Sequence, residues 1–182
     1  MQTYISFLRS VNITGHNLIK MTELSELIKK MGFRDVKTYI QSGNIIFSDP
    51  DNSTSSELSG NIEKAILGRF SLKIHVMTRT TRELDELFSN NPYLKEPNFD
   101  SSKSAVLFLH EKPTNTQIQK VKDISYPPDR FQIIGKEIFI YCPNGFGRTK
   151  IYTNFFEKKM GVIGTARNWK TVTTVLNLTG PS

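Results

Sequence analysis

Apolar residues recur with two different periods along the first eighty residues, which predicts an alternation of strands and helices. Helical spacing predicts one helix over residues 22–31, with a C-cap expected at Gly32. It predicts a second helix over the apolar stripe from Leu58 to Phe70. Runs with the period of a strand occupy residues 4–8, 36–40, 44–48 and 73–78. The resulting order, β-α-β-β-α-β, is the signature of a ferredoxin-like unit.

The second half of the chain repeats most of this order. Thr80 and Glu83 form a capping box for a short connecting helix. Strands are predicted at residues 104–109, 131–134 and 137–142. The residues expected to cap the remaining helices are Thr114, Thr149 and Asn168. The second unit is therefore predicted to be β-α-β-β-α, with a final helix where a fourth strand would stand.

These elements predict an α+β protein made of two ferredoxin-like α/β-sandwich subdomains with mainly antiparallel sheets. The first subdomain is expected at residues 1–79 and the second at residues 103–182. Residues 80–102 supply a connecting helix and a loop that contains Pro92 and Pro97. No sequence repeat relates the halves, so the duplication is one of architecture.

The alternation within the strands also predicts which face of the first sheet the helices cover. Phe7, Phe47 and Ile74 are expected on the helix-covered face. The outer face is expected to present Tyr4, Ser6, Leu8 and Ile46. Because several of these are apolar, the second subdomain is expected to cover them.

Composition places the chain among ordinary globular proteins and gives it a positive charge. It has 182 residues, of which 37% are hydrophobic and 23% charged, with a formal net charge of +7. Such a charge favours acidic partners, including an anionic small molecule or nucleic acid, although it also serves solubility alone. No apolar run is long enough for a membrane span or a signal peptide, so we expect a cytoplasmic protein without a membrane partner. The single cysteine, Cys142, excludes an internal disulfide.

Polar, turn-forming segments follow two strands of the first unit. In ferredoxin-like topology the end of the first strand, the turn between the second and third, and the start of the fourth share one edge of the sheet. The side chains gathered at that edge are Arg9, Asn12, Asn17, Lys20, Gln41, Ser42, Asn44 and Lys73. They offer positive charge and directional hydrogen bonds to a ligand. The alternative is that the asparagines cap turns and the glycines supply a positive φ.

A second polar segment, Gly145-Phe146-Gly147-Arg148-Thr149-Lys150, lies between a predicted strand and a predicted helix. Backbone amides flanked by glycine attract anions, although the segment lacks the spacing of a P-loop. Arg167 adds a further positive charge, and Asn168 follows it directly before another predicted helix. The alternative interpretation is a flexible turn between strand and helix.

Motifs for known catalytic chemistry are missing from the sequence. His16, His75 and His110 are isolated and lack metal-ligand spacing, and no G-x-S-x-G segment occurs. The sequence names no cofactor, metal or catalytic residue. Since catalytic groups converge in space rather than in sequence, the hypothesis that the protein is an enzyme stays open.

Several long motifs resemble the bacterial domain-of-unknown-function 1697 family. They include FLRSVNI at residues 7–13, VKTYIQSGNI at 36–45, GRTK at 147–150 and TARNWKTV at 165–172. The resemblance spans nearly the whole chain, and Ser10 stands where the family commonly has glycine. It implies a bacterial, cytosolic α+β protein with two ferredoxin-like subdomains, and it brings no activity.

Three hypotheses on function follow. The first is a protein that binds a phosphate-bearing ligand, either a small molecule or nucleic acid, through the polar segments. The second is an enzyme that uses the same cleft, and the third is a structural or interaction module without a ligand.

Overall fold

The fold divides into two compact units. The computed structural model describes residues 1–180. The first unit comprises Met1–Leu87 together with the chain from Val175 onward, and the second comprises Phe88–Thr174. The last helix therefore contributes residues to both units, which differs from the predicted assignment of the whole C-terminal part to the second.

The first unit is a four-stranded antiparallel sheet with helices on one face. Its elements are β1 (Gln2–Leu8), α1 (Met21–Lys30), β2 (Arg34–Tyr39), β3 (Asn44–Asp49), α2 (Ser55–Phe70), β4 (Val76–Thr80) and α3 (Thr81–Ser89), of which the last two residues fall in the second unit. The strand order β2-β3-β1-β4 is that of a ferredoxin-like sheet. The fold class is confirmed.

Local sequence accounts for where these helices begin and end. Thr54 accepts a hydrogen bond from the Glu57 amide at the start of α2, and the Glu57 carboxylate accepts one from the Thr54 amide. Thr80 and Glu83 form the predicted box before α3. Ser71 ends α2 in the left-handed conformation. Such reciprocal caps satisfy amides that the helix itself leaves without partners.

The prediction that Phe7 faces the helices is wrong. Phe47 and Ile74 pack with α1 and α2 residues as predicted. Tyr4 and Leu8 pack with the same residues, so the prediction that they lie on the outer face is also wrong. Ser6 lies on the same face, because its hydroxyl bonds Thr78, which also bonds Ser59 of α2. Phe7 points to the opposite face and is nevertheless fully buried. Both faces of β1 are buried, so hydrophobic alternation carried no information about which face meets the helices.

The second unit has the same topology as the first. Its elements are β5 (Ser104–Leu109), α4 (Asn115–Gln119), β6 (Arg130–Ile134), β7 (Glu137–Tyr141), α5 (Thr153–Met160), β8 (Gly164–Asn168) and α6 (Trp169–Asn177). The strand order is β6-β7-β5-β8. β8 is a fourth strand that the predicted β-α-β-β-α order omitted, so that prediction is wrong. Its sequence, GTARN, lacks a strand pattern, and the strand is defined by its pairing with β5.

The predicted cap at Thr149 is also wrong. α5 begins at Thr153 after Tyr152, which makes no side-chain cap. Thr149 instead accepts a hydrogen bond from the Ile151 amide, and a 3-10 turn occupies Phe146–Arg148 just before it. Gly161 caps the end of α5 with a φ of 71°.

The loop predicted to connect the subdomains packs onto the sheet of the second unit. Tyr93 stacks on Tyr141 of β7, with ring centroids 5.4 Å apart. The Arg130 guanidinium lies over both rings and donates two hydrogen bonds to Glu96, at 2.7 and 2.8 Å. Burial raises the pKa of Tyr93 to about 12. These contacts attach the loop firmly to β6 and β7.

Candidate functional site

The polar segment after β7 forms one wall of a pocket in the second unit. The chain leaves β7 through a turn in which the Gly145 amide donates to the Cys142 carbonyl at 2.7 Å. Gly145 has a φ of 84°, and a β-carbon there would lie 3.5 Å from the Lys103 ammonium. Arg148 ends the 3-10 turn and Lys150 follows it, and both side chains are exposed. This wall therefore carries positive charge close to glycine backbone.

The opposite wall is a tight turn that precedes β6. The Asp129 amide donates to the Tyr126 carbonyl at 2.9 Å, which closes a turn around Pro127 and Pro128. The pocket between the two walls has a volume of about 430 Å³ and is lined by Tyr126–Asp129 and by Asn144, Gly145, Arg148, Thr149 and Lys150. Its volume falls in the range of small-molecule sites.

Two cations and one carboxylate set the electrostatics of this pocket. Arg148 and Lys150 contribute the positive charges and Asp129 the negative one. The Lys150 ammonium lies 5.4 Å from the centroid of the Tyr126 ring, so it connects the two walls. The balance of charge favours an anionic ligand.

Thr149 links the pocket to the core of the unit. The buried Cys142 thiol donates to the Thr149 hydroxyl at 3.4 Å. Burial raises the pKa of Cys142 to about 11, so the group beneath the pocket is a neutral thiol at physiological pH. Thr149 thereby has a fixed position, with its hydroxyl held from both the thiol and the Ile151 amide.

Two further residues predicted to belong to this site, Arg167 and Asn168, do not line the pocket. Arg167 lies in β8 and is only 7% exposed. Its guanidinium donates to the Thr165 hydroxyl and the Ala166 carbonyl, both at 2.9 Å, and burial lowers its pKa to about 10. Asn168 accepts a hydrogen bond from the Thr171 amide and so caps α6 as predicted.

The predicted edge of the first unit also exists. The Leu8 amide donates to the Gly43 carbonyl at 2.8 Å, and the Arg9 amide donates to the His75 carbonyl at 2.9 Å. The end of β1 therefore meets both the β2–β3 turn and the approach to β4, as the topology predicted.

Asn12 holds the two polar segments of this edge together. Its amide nitrogen donates to the Ile19 and Gln41 carbonyls, each at 2.9 Å, and its oxygen accepts from the Ile19 amide at 2.9 Å. Asn17 donates to the Ser10 carbonyl, and Asn44 donates to the Tyr39 carbonyl. These three side chains support the backbone, as the turn-capping interpretation expects.

The remaining predicted residues of the edge differ in exposure. Lys20 and Gln41 are exposed, and Lys20 lies 4.0 Å from Glu23. Arg9 and Ser42 are half-buried, and the Ser42 hydroxyl accepts from the Asn44 amide group at 3.1 Å. Lys73 is exposed in the segment before β4.

Sequence reasoning did not find the wall formed by Tyr126–Asp129. The proline pair was a signal for a turn. Its proximity to the Gly145–Lys150 segment depends on the pairing of β6 with β7, in which Arg130 lies opposite Tyr141. Local sequence does not indicate the register in which these two strands pair.

Within the part of the chain that the structure describes, no helix combines the length and the apolar character needed to cross a membrane.

Comparisons with known proteins place the chain in a family. The comparison with curated proteins gave no match. Among solved structures, the conserved bacterial protein SP0830 from Streptococcus pneumoniae is similar in fold, with a TM-score of 0.76 and 20% sequence identity over 97% of this chain and 98% of that one. The sequence model of a protein family of unknown function, DUF1697, matches residues 1–139, so the GRTK and TARNWKTV motifs lie beyond the match. Because this match covers well over half of its length, the chain belongs to the DUF1697 family.

Proposed function

We propose that this protein binds a phosphate-bearing ligand in the pocket of the second unit. The observation that carries the proposal is the convergence of Arg148 and Lys150 on a concave site of about 430 Å³. Arginine and lysine are the side chains that most often bind phosphate, because they combine charge with several hydrogen-bond donors.

Neighbouring groups of the same wall support this assignment. Gly145 has no side chain to block an approach to the backbone, and Lys103 lies beside it. Asn144 and Thr149 add neutral polar groups to the lining. The net charge of +7 would attract an anion towards the protein from a distance.

The polar edge of the first unit is a second location at which the same function could reside. There the amide groups of Asn12, Asn17 and Asn44 are already bonded to the chain itself. A ligand at this edge would therefore depend on the exposed Lys20 and Gln41 and on Arg9, which also interacts within the protein. An enzyme that acts in the pocket and a module without any ligand are the two competing hypotheses.

Calorimetry with inorganic phosphate and pyrophosphate tests the proposal. Arg148→Ala and Lys150→Ala should each weaken pyrophosphate binding by about tenfold or more, since each removes a charge-assisted hydrogen bond. Lys158→Ala is the matched control, because Lys158 is an exposed cation of the same unit outside the pocket lining. Its affinity should equal that of the unchanged protein.

Two outcomes would contradict the proposal. If Arg9→Ala weakened binding while Arg148→Ala did not, the ligand site would lie at the edge of the first unit. If neither anion bound or raised the melting temperature, a module without a ligand would be favoured. Titration with a single-stranded oligonucleotide tests nucleic acid as the ligand, since binding along a polymer gives a steep dependence of affinity on salt.

A further inference from the structure

We propose that the ligand is a nucleoside phosphate whose flat ring binds against Tyr126, Pro127 and Pro128, an inference that rests on the phosphate site proposed above. Neither the family nor the fold assigns a ligand of this class. The two walls of the pocket offer different chemistry, and a nucleoside phosphate has the two matching parts.

The size of the pocket exceeds what a single inorganic anion needs. The volume of about 430 Å³ lies within the range of small-molecule sites. Since inorganic phosphate has only five non-hydrogen atoms, the site has room for a further group attached to the phosphate.

The second wall combines an aromatic ring and two prolines with the Asp129 carboxylate, and its ring is supported from the core. The Tyr126 ring meets Phe155 of α5 edge to face, with centroids 6.0 Å apart. Phe155 in turn meets Phe156 edge to face at 5.0 Å, and Phe156 is fully buried in the core. Such contacts fix the orientation of an aromatic ring. Tyr126 is thus a half-buried ring that packs against Phe155 and also lines the pocket.

Lys150 couples the two walls. Its ammonium lies 5.4 Å from the centroid of the Tyr126 ring, at a face that a ligand ring would use. A cation–π contact at a partly exposed site is weaker than a charge-assisted hydrogen bond to phosphate. A bound phosphate is therefore expected to draw the ammonium from the ring and to leave that face open for stacking.

Adenosine 5′-monophosphate and ribose 5-phosphate are the probes that separate the ring from the phosphate. The full chain should bind the nucleotide at least about fivefold more tightly than the sugar phosphate, as expected for stacking of one base on an aromatic ring. Tyr126→Leu should remove this preference and leave the affinity for ribose 5-phosphate little changed. Tyr126→Phe, which keeps the ring, should retain the preference.

Equal affinities of the unchanged protein for the two probes would overturn the inference without any variant, and the phosphate site would stand. An equal loss of both affinities in Tyr126→Leu would also overturn it, because the ring would then act only as support for the wall. If neither probe bound, and inorganic phosphate and pyrophosphate also failed to bind, the proposed function itself would fail.

Discussion

At the scale of single residues, the same side-chain types serve both turns and candidate ligand contacts. Asn12 makes three hydrogen bonds to backbone groups. Ser10 has a φ of 55°, in the left-handed region that glycine adopts without steric cost. The polar residues of the loop after β1 therefore serve the conformation of its backbone. The sequence pattern alone could not distinguish this role from ligand binding.

Cys142 is predicted to be unreactive in the folded protein. Burial raises its pKa from an ordinary value of 9.0 to about 11, so at neutral pH the thiolate fraction is roughly a hundredfold lower than in the unfolded chain. Because the thiol is also fully buried, alkylation by iodoacetamide, followed by mass spectrometry, should be slower by at least that factor in buffer than in concentrated urea. Equal rates would show that the thiol is accessible and ionised.

The same residue predicts a dependence of stability on pH. The folded state holds the thiol proton more tightly than the unfolded state does. Cys142 therefore stabilises the fold fully below pH 9.0, and this contribution is lost as the pH rises towards about 11. Denaturant unfolding of Cys142→Ala across that range should show a shallower decline in the free energy of unfolding than the unchanged protein shows.

At the scale of elements, hydrophobic pattern predicted most strands and helices but not every assignment. The βαββαβ order of the first unit and the caps at Thr80, Thr114 and Asn168 follow from local sequence. β8 could not be predicted, because its residues become a strand only through pairing with β5. The same limit applies to the pocket, whose cationic wall was predicted and whose tyrosine wall depends on strand register.

The turn between β2 and β3 gives a prediction about close packing. A β-carbon at Gly43 would lie 2.8 Å from the β-carbon of Leu8, whereas one at Gly15 would meet nothing within 4 Å. Both glycines have similar positive φ values, 78° and 81°, so the backbone strain of an alanine is matched. Gly43→Ala should lower the free energy of unfolding by about 1–3 kcal/mol more than Gly15→Ala does.

Denaturant unfolding of the two variants in parallel measures this difference. If both lost the same stability, strain in φ alone would account for the effect, and the approach of the turn to β1 would not be tight.

At the scale of the whole molecule, residues near both ends of the chain belong to the first unit. Val175 is fully buried and belongs to the first unit. The Lys37 ammonium on β2 donates to the Leu178 carbonyl at 3.1 Å. Residues 88–174 therefore form an insertion, in sequence, within the first unit.

Ending the chain at Thr174 is predicted to destabilise the protein. The truncation removes the buried Val175 and the hydrogen bond between Leu178 and Lys37. The free energy of unfolding should fall by about 2 kcal/mol or more. A truncated protein with an unchanged melting temperature would show that the C-terminal segment contributes nothing to the first unit.

This arrangement has a consequence for how the protein is made. A ribosome adds roughly 5–20 residues per second. The 87 residues of the second unit, from Phe88 to Thr174, therefore take between about 4 and 17 seconds to synthesise. During that interval the nascent first unit lacks the segment that starts at Val175, so it can be completed only after the whole second unit has been synthesised.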